Sequence, residues 1–280
     1  MNGEMHERID VSGVGVRLRF AGHSDAGAVR AGNEDSFLAA APLWVVADGM
    51  GGHANGELAS QAAIAAFADA RPGIRRPADV LETIRIANDD VCEVGGDQLS
   101  ATTLTGVALV EIEDAGPYWM VFNVGDSRTY SWNGRTLSQL SIDHSAVQEL
   151  VTAGLLSPEV AAVHPERNIV TRALGADEVV EPDIWLQPLR GTQTFLLCSD
   201  GLTTELDDDD IARIIRRHDA DPDPDTTIAE RLVAAAIEAG GHDNITVLVV
   251  ESQAMSTARG DLPEDTIDPD RSLFDDTLPR

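Results

Sequence analysis

The chain has 280 residues and a formal net charge of −28, with 48 acidic residues against 20 basic ones. Such a field repels nucleic acid and anionic membrane surfaces while attracting divalent cations, and no apolar run approaches the ~20 residues of a membrane-spanning helix. The basic residues are all arginine, and without lysine a P-loop, a protein-kinase nucleotide site and a Schiff-base enzyme are excluded.

Residues 1–15 have mixed charge and no apolar stretch of signal-peptide type, and read as an N-terminal extension. With only two cysteines there is no disulfide framework, so a cytoplasmic location is expected. Residues 16–24 alternate as a strand does, and 36–47 offers two short strands around Ala41-Pro42. The alanine-rich stretch from Asn55 to Ala70, with Leu58, Ile64 and Phe67, predicts a helix, and a second follows over 77–91 after the Arg71-Pro72-Gly73 break. Segments 102–112, 117–124, 127–132 and 136–140 read as antiparallel strands joined by turns such as Asn133-Gly134. Residues 144–175 are helical in pattern but broken by Gly154, Pro158 and Pro165, which marks a small inserted subdomain.

Strands resume at 183–189 and 194–199, helices at 209–218 and 225–239, and a last strand at 244–250. Strand and helix pairs in this order predict an α+β fold, with sheets inside and helices outside. The acidic run Asp207–Asp210 stands directly before a helix and is explained by N-capping and the helix dipole. Cys198 lies in the apolar run Phe195–Cys198 and reads as a buried strand residue. Neither cysteine is followed six positions later by arginine, which removes the cysteine-nucleophile phosphatases. Residues 253–280 carry three prolines, seven acidic residues and three arginines with no periodic apolar face, and are expected to be a disordered acidic tail.

Four aspartates share one context, each beside glycine, serine or asparagine at a strand end. They are Asp48 in Asp48-Gly49-Met50-Gly51-Gly52, Asp126 before Ser127-Arg128, Asp200 before Gly201, and Asp243 in Gly240-Gly241-His242-Asp243-Asn244. Singly, each is a common turn residue. Together they are hard oxygen ligands on rigid mounts, suited to Mg²⁺ or Mn²⁺.

In this setting the chain resembles the PPM-type (type-2C) metal-dependent serine/threonine protein phosphatases, in particular their bacterial branch. The resemblance spans roughly residues 18–252, in family order. It rests on Ser24-Asp25-Ala26-Gly27, Arg30-Ala31-Gly32-Asn33-Glu34-Asp35-Ser36, Asp48-Gly49-Met50-Gly51-Gly52-His53, Gly56-Glu57-Leu58-Ala59-Ser60, Ala101-Thr102-Thr103, Gly125-Asp126-Ser127-Arg128, Ser199-Asp200-Gly201-Leu202 and Asp243-Asn244. It implies one phosphatase domain over 16–252. The fold would be an α-β-β-α sandwich of two antiparallel sheets flanked by helix pairs, with a flap at about 144–175.

The resemblance also implies roles. Asp48 would bridge two Mn²⁺ or Mg²⁺ ions, one of them bound by the Gly49 carbonyl. Asp200 and Asp243 would complete the other. Glu34 and Asp35 would act mostly through water, and Asp126 with Asp200 would hold a third ion. Arg30 would clasp the substrate phosphate, and His53 is either a substrate contact or a structural residue. Met50 stands where animal members carry a histidine taken to protonate the leaving group, which leaves the general acid open. The implied substrates are phosphorylated proteins in a serine/threonine kinase pathway. The other readings are a catalytically silent regulatory module, which usually lacks such aspartates, and a hydrolase of small phosphoesters. Thr266 and Thr277 each follow acidic residues and precede an aliphatic one. They are either phosphorylation sites that dock on a phosphothreonine-binding domain or incidental residues of a solubilising tail.

Overall fold

A computed structural model describes residues 3–51, 54–95, 100–161 and 163–255. His53, Thr266 and Thr277 lie outside the described residues, as does all of the expected tail beyond Met255. The first sheet contains β1 (Met5–Val11), β2 (Val14–Asp25), β8 (Arg128–Trp132), β9 (Leu137–Gln139), β11 (Thr192–Cys198) and β12 (Ile245–Met255), in the order β1-β2-β12-β11-β8-β9. The second contains β3 (Asp35–Ala40), β4 (Leu43–Met50), β6 (Leu104–Ile112), β7 (Gly116–Val124) and β10 (Asp183–Pro188), in the order β10-β7-β6-β4-β3. A two-residue strand, β5 (Ala101–Thr102), pairs with the end of β4. Neighbouring strands are antiparallel throughout both sheets.

Period-2 alternation sorts the strands' side chains into three layers of core. On β4, Trp44 and Val46 face the other sheet, while Leu43, Val45 and Ala47 face helices. On β11, Phe195 and Leu197 point inward and Leu196 and Cys198 outward. Between the sheets a chain of rings runs Phe20–Trp44–Trp119–Phe195, with centroids 5.5, 5.4 and 5.0 Å apart. Each such fully buried side chain contributes about 1.5–3 kcal/mol of hydrophobic stabilisation. Helices α1 (Ala54–Ala70) and α2 (Pro77–Gly95) cover the second sheet. The first is covered by α5 (Asp200–Glu205), α6 (Asp208–Ala220) and α7 (Ile228–Ala239). The result is the expected α-β-β-α sandwich.

The alanine-rich face of α1 packs closely on the sheet as its small residues allow, with Ala59, Ala63 and Phe67 buried and Leu58 exposed. Several local readings change. The segment assigned to an N-terminal extension supplies β1, a charged edge strand whose Met5, Ile9 and Val11 pack on the inter-sheet core. The last strand continues to Met255, past the expected start of the tail, because Gln253–Met255 pair with Gly15–Arg17. The strand expected over 102–112 is interrupted at Thr103, whose amide turns to the Asp48 carbonyl at 2.9 Å. Asp200–Glu205 form a helix where none was expected. Asp207 caps α6 through the Asp210 amide, as its acidic run implied. Helix α7 begins three residues later than expected, at a Thr227–Glu230 capping box. Within 144–175 lie α3 (Ala146–Thr152) and α4 (Pro158–Ala161), rooted by bridges from Ser145 to Val170 and from Thr102 to Leu174.

Candidate active site

One end of the sandwich gathers the acidic residues. Asp48 stands near the end of β4, directly across the ladder from Asp35 at the start of β3. Asp200 opens α5 where β11 ends, Asp243 precedes β12, and Asp126 lies in the β7–β8 turn. The chain thus delivers carboxylates from five separate places to one region. The charge interactions confirm their proximity: Asp48 is acted on by Asp35, Asp200, Asp126 and Asp243 together.

Polar bonds fix the backbone beneath each carboxylate. The Asp48 carbonyl accepts from the Thr103 amide at 2.9 Å and from Thr102 Oγ1 at 2.9 Å, while the Asp48 amide donates to Thr103 Oγ1 at 3.0 Å. Thr103 Oγ1 also meets Ser127 Oγ at 2.7 Å, so the Asp48 and Asp126 segments are latched together. Gly49 follows in close backbone contact, since a Cβ there would lie 2.0 Å from the Gly56 carbonyl and 2.7 Å from that of Glu34. Only glycine permits this approach. Ser60 of α1 donates to the Glu34 carbonyl at 2.5 Å. Asn244 holds the whole 26–34 loop: it accepts from the Glu34 amide at 2.8 Å and donates to the carbonyls of Ala26 and Gly32 at 3.0 and 2.8 Å.

Arg30, carried by that loop, donates through Nη2 to Asp243 Oδ2 at 2.6 Å. It is the one arginine that meets these five carboxylates in an ion pair among the described residues. Arg128 also acts favourably on Asp126 and Asp200, yet burial outweighs it. Burial, then the neighbouring Asp35, Asp200 and Asp126, pushes the Asp48 carboxyl well above the ordinary carboxylate range. Burial is also the largest cause for Asp126, raised to about 7 with Asp200 and Asp143 adding to it. Asp200 is raised by burial and by Asp243, against a relieving hydrogen bond with Asp48. Asp35 is raised to about 7 by burial, although Thr246 and Ser199 hydrogen-bond it, the latter at 2.7 Å to Oδ2. Its Oδ1 is buried with no partner. Carboxylates forced to share protons, with an orphaned buried oxygen among them, form a donor set that fits hard divalent cations. Among the described residues no three His, Cys, Asp or Glu side chains close around one ion unaided, so backbone carbonyls or water must complete a coordination shell.

The structure brings together Arg30, Glu34, Asp35, Asp48, Gly49, Asp126, Asp200 and Asp243. Met50 ends β4 opposite Ala101 and offers no proton. Sequence reasoning missed the residues that hold the set in place. Arg128, adjacent to the Asp126 turn, is half-buried and paired with Asp143, with Nη2–Oδ2 at 2.6 Å and Nε 3.0 Å from both oxygens. Its Nη1 donates to Tyr130 Oη at 3.2 Å. His144, at the root of α3, accepts from the Gly125 amide on Nδ1 at 3.0 Å and donates its own amide to the Gly125 carbonyl at 2.9 Å. Its Nε2 lies 3.3 Å from Asp183. The Asp126 turn and the inserted subdomain therefore share one anchor. Thr102, Thr103 and Asn244 stood in the motifs quoted above, but their bonds run between distant segments and leave no local pattern.

Residues 23–234 match the family model of protein phosphatase 2C. The serine/threonine protein phosphatase PstP of Mycobacterium tuberculosis is 39% identical over 241 residues, covering 84% of this chain and 45% of PstP. The chain thus spans about half the length of that relative. The serine/threonine phosphatase stp of Listeria welshimeri is 36% identical over 248 residues, covering 84% of this chain and 96% of that protein. The crystal structure of the catalytic domain of PstP in complex with two manganese ions is similar with a TM-score of 0.73 at 36% identity, covering 85% of this chain and 99% of that one.

Proposed function

The chain belongs to the protein phosphatase 2C family, and on that premise we propose that it is a metal-dependent phosphatase of phosphoserine and phosphothreonine in other proteins. The observation that carries this reading is the gathering of five aspartates at one end of the sandwich, Asp35 and Asp126 buried among them and Arg30 paired to Asp243 at the mouth. Its homologue with two manganese ions supports the same reading. Asp48 and the Gly49 carbonyl would hold the two central ions, Mn²⁺ or Mg²⁺, with Asp200 and Asp243. Glu34 and Asp35 would act through water, which suits the unpartnered Oδ1 of Asp35. Asp126 and Asp200 would serve a third ion. When bound, the ions supply Lewis acidity that acidifies a water and offsets phosphoryl charge.

The protein's own groups then have defined tasks. Arg30 uses one donor on Asp243 and is 55% exposed, which leaves the rest of its five-donor fork for phosphoryl oxygens. Thr102, Thr103 and Asn244 keep the carboxylate mounts from yielding as charge moves. Attack by water needs no covalent intermediate, and the thiols suit none. Cys198 is buried with its pKa pushed by burial beyond the usual thiol range, and Cys92 is raised as well. Met50 cannot protonate the leaving alkoxide, so that proton comes from water.

The substrates are products of serine/threonine kinases, so the enzyme opposes such kinases, in the cytoplasm. The described residues contain no helix long and apolar enough to cross a membrane. Docking of phosphorylated Thr266 or Thr277 on a phosphothreonine-binding domain is a separate proposal on residues outside those described. The test of function is turnover by the purified chain of a phosphothreonine peptide against a sugar phosphate, with Mn²⁺ or Mg²⁺ and with EDTA. Preference for the peptide and loss in EDTA are expected. Metal-independent turnover, or preference for the sugar phosphate, contradicts the proposal.

A further inference from the structure

The opposite end of the sandwich carries a second recess. A groove of about 590 Å³ lies between the β1–β2 turn, the Ala41-Pro42 turn of β3–β4, the end of β6 and the short helical turn Arg71–Gly73. Its apolar lining includes Ile9, Val11, Pro42, Ile74 and Leu109. Two arginines border it. Arg71 Nη1 donates to the Ala41 carbonyl at 3.1 Å and Arg75 Nη1 to the Ile74 carbonyl at 2.6 Å. Neither guanidinium meets a carboxylate among the described residues, although the chain carries 48 acidic residues. The loop bearing them is fixed, because Asp79 accepts from the amides of Arg75 and Arg76 at 3.0 and 2.8 Å. Of the acids in the lining, Asp10 is engaged by the Gly13 amide at 2.9 Å, and Glu111 is the other.

The chain leaves the sandwich at this same end. Met255 pairs with Gly15, next to the β1–β2 turn that forms one wall of the groove. Twenty-five residues follow. Residues 261–280 hold seven acidic residues against two arginines, and Leu273-Phe274-Asp275-Asp276 joins the only aromatic of that stretch to an acidic pair. At ~3.3 Å per extended residue the 19 positions from Met255 to Phe274 reach much farther than the groove requires. We propose that residues 272–278 of the chain occupy this groove, with Leu273 and Phe274 against its apolar floor and Asp275 and Asp276 on Arg71 and Arg75. An acidic-apolar segment on a guanidinium-edged recess satisfies both chemistries, and tethering raises its local concentration to the millimolar range. Residues 272–278 so placed would lie at the end remote from the aspartates, away from the substrate side.

Hydrogen exchange on the full chain tests this, at about 0.02 M and about 0.5 M salt. At low salt residues 9–13, 71–76 and 272–278 should exchange more slowly in the wild type than in Phe274→Ser/Asp275→Asn/Asp276→Asn, by about tenfold for a contact of ordinary strength. Arg71→Ser/Arg75→Ser should release residues 272–278 equally, and high salt should erase most of the difference. The tail variant alters no described element, so phosphopeptide turnover serves as its folding control and should be unchanged. Exchange of residues 272–278 at free-peptide rates in the wild type overturns the proposal. So does protection that grows with protein concentration, which assigns the groove to a second copy's tail, and protection of 9–13 and 71–76 that ignores both variants.

Discussion

The two ends of the β-sandwich handle their charges in opposite ways. At one end Asp35, Asp48, Asp126, Asp200 and Asp243 are drawn together, and among the described residues Arg30 is the arginine that pairs with them. At the other, Arg71 and Arg75 stand at the surface with backbone carbonyls as partners. The carboxylates sit on mounts that cannot relax, because Thr102, Thr103, Ser127, Ser199 and Asn244 pin the backbone or the side chains. The arginines extend from a surface loop and are free to reorient. Like charges held by rigid mounts store repulsion that protons or a bound metal cation relieve, whereas exposed charges on long stems store almost none. Chemistry therefore belongs to the first end and weak, salt-sensitive docking to the second.

Removing a carboxylate at the rigid end should have the largest effect. Asp200→Asn and Asp243→Asn are each expected to lower phosphopeptide turnover about 10³-fold, the several kcal/mol of charge stabilisation that a well-held ion supplies. Rates within tenfold of wild type would dissolve the distinction between the ends. Next comes the part-buried pair that flanks the Asp126 turn. Arg128→Leu leaves Asp143 without its cation and should destabilise the fold by about 3–5 kcal/mol, read as a lower midpoint in urea. Arg75→Ser, at the exposed end, should leave that midpoint unchanged.

The pH response sharpens the comparison further. In chelated protein Asp35 and Asp126 titrate near 7, above the ~3.9 of an unfolded chain. The folded state then binds more protons than the unfolded state, so stability falls as pH rises from about 4 through about 7. The thermal midpoint in EDTA should be higher at about pH 5.5 than at about pH 8, and saturating Mn²⁺ should flatten the slope by taking the protons' place. A midpoint in EDTA that rises with pH would mean the carboxylates are already compensated. The smallest effect is expected at Asp126→Ala. It should lower kcat about tenfold while anomalous scattering still places two ions at Asp48, and normal kcat at saturating metal would remove the third ion from the account.

Strand periodicity made the sandwich legible, because buried strands such as β4 and β11 alternate faces without interruption. The aspartates were legible as a set because their flanking residues recur in one order. Illegible parts have physical reasons. Strand β1 carries charges on its open side and reads as an extension. Helix α5 is six residues, Asp-Gly-Leu-Thr-Thr-Glu, with no apolar repeat to announce it. The clasp of His144 on Gly125 joins segments 19 residues apart in sequence through backbone groups, so only the folded chain reveals it.

The central claim is that the aspartate end works through ions bridged by Asp48. The most direct measurement is phosphothreonine-peptide turnover against Mn²⁺ concentration for wild type and Asp48→Asn, with thermal unfolding confirming that both are folded. Wild-type activity should rise to saturation with Mn²⁺ and vanish in EDTA. Asp48→Asn should remain folded, and in EDTA melt higher than wild type because one member of the repelling set is gone, yet stay inactive at every Mn²⁺ concentration. Wild-type turnover that persists in EDTA, or an Asp48→Asn variant that turns over at the wild-type rate, would contradict it.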